Sequence, residues 1–180
     1  MHDVKVKFSA AIAIILTISA LGIVANPAIA RPVATTAAVA NPVPLPAGWT
    51  ASQPVNNMVL IQISGSADMV IVGVMDANQP EQIATMLAQQ VIQGYTIAST
   101  APAKRLDNGM YLVTSQLNFA DGRKGLTIAR AALRPDGKTA MAAIITANPN
   151  DMPGFQTRVT GTTDTLKALI AGASLPISKR

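Results

Sequence analysis

A chain of 180 residues with 49% hydrophobic but only 3% aromatic and 13% charged side chains carries enough apolar material for one domain with its own core. Its 14 basic and 9 acidic side chains give a net charge of +5, an excess too diffuse and too poor in rings for a nucleic-acid surface, which pairs a basic stripe with stacking aromatics. Cysteine is absent and the single histidine is His2, so disulfides and thiolate chemistry are excluded from the start.

The chain opens with "VKVKFSAAIAIILTISALGIVANPAIARP". Lys5 and Lys7 precede an uncharged run from Phe8 to Val24, whose length falls between a secretory h-region and a full membrane span. Pro27 and the small residues of Ala28-Ile29-Ala30 favour a secretory signal over residues 1–30, cleaved after Ala30, with an uncleaved anchor as the alternative. A lipid anchor needs a cysteine that the chain lacks. Cleavage removes Lys5, Lys7, Asp3 and His2, and so leaves 12 basic and 8 acidic side chains and neither His nor Cys. The expected product is a periplasmic or secreted protein that meets a membrane only through its leader.

Residues 31–48, "RPVATTAAVANPVPLPAG", are rich in Pro, Ala and Val and read as a disordered tether. A single domain is expected over 49–176, followed by a short tail at 177–180. Two β-rich runs, 58–64 and 69–75, flank Gly65-Ser66-Ala67-Asp68 and predict a hairpin, its second strand apolar on both faces and therefore central. A helix follows, with Asn78 as cap, Glu81 completing a capping box, Gly94 as terminator, and Ile83, Leu87 and Val91 forming a stripe widened by Ala84 and Met86.

Four further strands are predicted in "TIAST", "MYLVTSQLNFA", "GLTIARAALR" and "TAMAAIITA", separated by "LDNG", "DGRKG" and "RPDGK" turns. In the second of these strands Tyr111, Val113, Leu117 and Phe119 share one face, and Thr114, Gln116 and Asn118 the other. The alanines of the last two strands allow close approach by a packed helix or, alternatively, a ligand. A C-terminal helix carries Phe155, Val159, Leu166, Leu169 and Ile170 on one stripe, with a kink expected at Gly161. The fold class is therefore α+β: hairpin, helix, four-strand antiparallel meander and C-terminal helix, the helices packed on the sheet.

This order, with the opening "LPAGWT" and the closing "GASLPIS", resembles the PsbP/Mog1-like α/β sandwich over roughly residues 45 to 176. The resemblance implies a six- or seven-stranded antiparallel sheet flanked by helices and a role in assembly or binding. It assigns no functional residue.

The residues themselves exclude much chemistry. Without His or Cys, the usual zinc, copper and haem ligands and the common nucleophile pairs are missing, so no cofactor, metal ligand or catalytic residue is assigned. The domain holds one Glu and seven Asp. Asp107, Asp121 and Asp136 fall in turns, Asp151 and Asp164 look like helix-start residues, and Asp76, Asn78 and Glu81 lack the glycine turn of a calcium loop. A hydrolase working through Asp carboxylates is the alternative to a non-enzymatic envelope module. Partners compatible with the charge are a protein or an anionic envelope component, such as lipopolysaccharide, an acidic polysaccharide or a phospholipid head group, and not nucleic acid. In a meander, alternate turns share one end of the sheet. Lys104, Arg105, Arg134 and Lys138 are therefore expected to converge as an anion site, against the competing reading of four solvated turn charges offset by Asp107 and Asp136.

Overall fold

The computed structural model describes residues 41–90, 94–146 and 152–176. The expected signal, the first part of the tether, Val91, Asp151 and the tail lie outside the described residues. Ten elements follow one another: β1 (Trp49–Ala51), β2 (Met58–Ile63), β3 (Met69–Met75), α1 (Pro80–Ala88), β4 (Tyr95–Thr100), β5 (Lys104–Arg105), β6 (Tyr111–Phe119), β7 (Lys124–Leu133), β8 (Thr139–Thr146) and α2 (Met152–Ile170). The strands form one antiparallel sheet in the order β1-β2-β3-β8-β7-β6-β4, with β5 also paired to β6. The described residues thus form an α+β fold with two helices on an antiparallel sheet. The two strands that alternation did not reveal are β1 and β5, which have three and two residues, too short for a period of two to register.

Side-chain alternation splits the core between the two faces of the sheet. Val59, Ile61, Val70, Val72, Ala142 and Ile144 point to the side where α2 supplies Phe155, Leu166 and Leu169. Ile71, Val113, Leu117, Ala129, Met141 and Ala143 point to the other, where α1 supplies Ile83, Ala84, Leu87 and Ala88. The alanines of β7 and β8 are thus explained on the α1 side by a helix lying close, because Ala129, Ala131 and Ala143 are all buried beneath it.

Several local expectations change. Helix α1 starts at Pro80, whose fixed φ suits the first helical position. Gln79 is the cap and makes no side-chain capping bond, so Asn78 does not cap it. The helix stops at Ala88 rather than at Gly94, which opens β4 with a φ of +109°. Met86 is 46% exposed and stands off the buried stripe.

Helix α2 runs unbroken through Gly161. A Cβ there would lie 3.1 Å from the Trp49 ring and 3.4 Å from Pro46, so this glycine makes room for the indole instead of bending the helix. Asp164 sits inside α2, paired to Lys167 one turn on, and does not start it. The stretch read as tether is ordered from Asn41: Val43 is buried and hydrogen-bonded to the Ser174 carbonyl, and Leu45 packs on the core.

The turns 106–110 and 134–138 lie at one end of the sheet, and 64–68 and 120–123 at the other, as the strand registers require. The 106–110, 119–123 and 134–138 loops share one design. A glycine near +80° (Gly109, Gly122, Gly137) follows Asn108, Asp121 or Asp136, whose side chain accepts from the amide two residues on. Turn geometry accounts for those two aspartates.

Candidate functional site

The four predicted cations differ in their surroundings. Arg134 and Lys138 face each other across the β7–β8 turn, joined by the Arg134 amide donating to the Lys138 carbonyl at 2.8 Å. Both are already neutralised. The Arg134 guanidinium donates to Asp136 at 3.1–3.2 Å and to the Ala173 carbonyl at 3.3 Å. Lys138 Nζ lies 2.7 Å from Asp76, whose carboxylate raises the lysine's pKa above its ordinary value. Asp136 is held below the usual carboxylate range. Slight desolvation opposes this, and the Lys138 amide and the Arg134 guanidinium outweigh it.

Lys104 and Arg105 are consecutive on β5, paired to Leu112 and Tyr111. Consecutive strand residues point to opposite faces, so Lys104 stands on the α2 side and Arg105 on the α1 side. The topology brings the two loops to one end, the pleat turns Arg105 to the other face, and Arg134 and Lys138 are spent on Asp136 and Asp76.

The pleat also places a cation that the turn argument passed over. Lys104, Leu112, Arg130 and Ala142 form one cross-strand row on the α2 side, with Lys104 and Arg130 two strands, or about 10 Å, apart. Arg130 is half-buried in the middle of β7, between Ile128 and Ala132. Its Nη1 donates to Thr163 Oγ1 at 3.0 Å, while that hydroxyl donates to the Val159 carbonyl at 2.8 Å. The hydroxyl is thereby oriented and the guanidinium anchored at one nitrogen. Among the described residues no carboxylate pairs with Arg130, and burial pushes its pKa down from the ordinary value. A guanidinium has five donors. One is used here.

No protein-family model and no curated protein matches this chain. The chemistry of the site must therefore come from its own geometry.

That geometry is a half-open sheet face. Helix α2 covers β3 and β8 and reaches β7 only at its margin. Beyond that margin β6 presents Leu112, Thr114, Gln116 and Asn118, half-buried or exposed, and β4 presents Thr96 and Ser99. Strands β4 to β7 contain no acidic residue. On the α2 side they carry Lys104, Arg130 and Lys124. Lys124 Nζ donates to Asn118 Oδ1 at 2.6 Å, which orients the ammonium without neutralising it.

Five of the carboxylates, by contrast, are committed elsewhere. Asp68, Asp76, Asp121, Asp136 and Asp164 each pair with a cation. The described residues offer no group of three His, Cys, Asp or Glu side chains able to hold a metal ion. Asp68 is the second residue whose role the sequence concealed. Only 4% exposed in the β2–β3 turn, it accepts from Arg158 of α2 at 2.5 Å. A shallow cleft of about 270 Å³ beside it is lined by Thr50, Gln62, Ser64 and Ser66. The Asp68 charge is spent on Arg158, which leaves that cleft without a strong recognition element.

Proposed function

We propose that this protein is an exported, non-enzymatic binding module of the bacterial cell envelope, periplasmic or secreted after cleavage at Ala30, and that it holds an anion on the open half of its α2-side sheet face. The leader, with Lys5, Lys7, the apolar run and Ala28-Ile29-Ala30, supports export. None of the helices among the described residues is long and apolar enough to cross a membrane. The element order supports a relation to PsbP/Mog1-like sandwiches.

One observation carries the binding reading: Arg130 is a desolvated cation on a strand, anchored by one neutral hydroxyl, with no described carboxylate to balance it. Such a group costs stability unless it is paired, and a planar guanidinium with free donors is suited to a bidentate carboxylate, sulfate or phosphate. Lys104 adds a second charge from the same row. Calorimetric titration of the mature protein with sulfate and with phosphate at low ionic strength tests this. Binding weakened about tenfold or more in Arg130→Gln, but not in Arg105→Gln, is the expected result. Equal binding by the wild type and Arg130→Gln would remove the site.

A further inference from the structure

The anion site has a second pole. Lys124 opens β7 and, by its register with Asn118 and Thr96, stands on the same face as Arg130. Six residues separate the two along one strand, a distance of about 20 Å at the usual rise. The floor between them is uncharged: Leu126 and Ile128 lie between the two cations on β7 itself, and beside them run groups able to hydrogen-bond, Thr114 and Gln116 on β6 with Ser99 alongside on β4. No acidic side chain stands on strands β4 to β7, and Asp121, in the turn before Lys124, is paired with Arg123.

A point anion needs only the Arg130 end. A flat lipid surface cannot use the track either, because the face is bounded on one side by α2, which stands over the neighbouring strands and keeps a plane away from the Arg130 row. A flexible chain bearing an anion at intervals and hydroxyls between them satisfies both poles and the floor.

Resting on the anion-site reading above, we infer that the ligand is a linear acidic oligosaccharide lying along β6 and β7, with one carboxylate held at Arg130 and Lys104 and another at Lys124. The missing aromatics fit this pattern: Trp49 lies against α2, and Tyr95, Tyr111 and Phe119 are directed to the α1 side. Sugar rings on this track are held through their charges and hydroxyls rather than by stacking.

The test uses oligogalacturonates of two and six units, titrated into the mature protein at low salt. The dimer is too short to reach both poles and the hexamer is long enough. The hexamer is expected to bind more tightly, and Lys124→Gln to cut its affinity by about threefold to fivefold, the worth of one exposed charge contact, while leaving the dimer unchanged. That variant also separates a real second contact from the larger number of registers open to a longer chain, which it does not alter. Equal affinity for dimer and hexamer, or no effect of Lys124→Gln, overturns the inference and leaves the anion site standing if Arg130→Gln still weakens binding about tenfold or more. Phosphatidylglycerol vesicles binding where both oligomers fail overturns it in favour of a membrane surface. Binding unaffected by Arg130→Gln sinks the inference and the anion site together.

Discussion

Replacing Arg130 by Met should make the protein more stable while abolishing anion binding. The guanidinium is half-buried among Leu112, Ile128, Ala132 and Ala142, and its depressed pKa follows from that desolvation. A base whose folded-state pKa lies below its unfolded value opposes folding at every pH where it is charged. Relief of that penalty is worth about 1–2 kcal/mol, toward the low end of buried-charge replacements because solvent reaches part of the group. The bond to Thr163 is lost, at about 1 kcal/mol. Thr163 Oγ1 keeps its own bond to the Val159 carbonyl, so no buried donor is orphaned. The balance is a gain of about 0–1 kcal/mol, or a melting temperature higher by up to roughly 3 °C for a domain of this size. Thermal unfolding followed by circular dichroism, without and with sulfate, reads it. The variant is expected to melt higher without sulfate and to gain less from the salt, since only the general exclusion effect remains. A variant that melts several degrees lower would show that Arg130 is a structural cation and refute the reasoning.

Asp68→Ala removes a buried carboxylate that accepts from the Arg158 guanidinium and should cost about 2–3 kcal/mol in urea unfolding, the worth of a charge-assisted hydrogen bond, whereas an exposed pair such as Arg123–Asp121, with side chains 55% and 53% exposed, should cost little when broken. Gly125→Ala should destabilise by about 2–3 kcal/mol, because the new Cβ would fall on the Phe119 ring and on the Thr146 carbonyl; a neutral result would mean that β7 and β8 separate easily at that end. Stability should decline on acidification below about pH 4. Asp121, held down first by the Arg123 amide, and Asp136, held down by the Lys138 amide and Arg134 against slight desolvation, have depressed values; their contribution is full above the unfolded value and lost as pH falls through the folded one. The decline should be shallower in an Asp121→Asn, Asp136→Asn double variant. Terminal sequencing of periplasmic material should begin at Arg31, and full-length protein retained in the membrane pellet would contradict cleavage.

The sequence showed what local physics determines. Alternation located β2 and β6, apolar or β-branched runs bounded by turn residues located β3, β4, β7 and β8, and Asp-Gly or Asn-Gly located the turns before β6 and on either side of β7. What it did not show depends on partners far along the chain. Gly161 looks like a helix breaker until Trp49, well over a hundred residues earlier, is seen to occupy its empty side. Asp68 reads as one more turn aspartate, yet its partner lies 90 positions away in α2. The expected cation cluster came from topology alone, which fixes the end of the sheet and leaves the face open. Applying the period of two to "KR" would have sent Arg105 to the wrong side. Arg130 did leave a trace in "GLTIARAALR": a charge in the middle of a largely apolar strand, away from the turns that account for Lys124 and Arg134 at its ends.

The most direct test of the account is a titration of the isotopically labelled protein with sulfate, followed by proton–nitrogen correlation spectra that include the arginine Nε–H resonances. Saturable shifts centred on Arg130 Nε–H and on the amides of Leu112 and Thr163, with the Asp136–Lys138 turn and Arg105 unmoved, are the predicted result. Shifts concentrated in that turn, or small changes spread evenly over the surface, would contradict an anion site at Arg130.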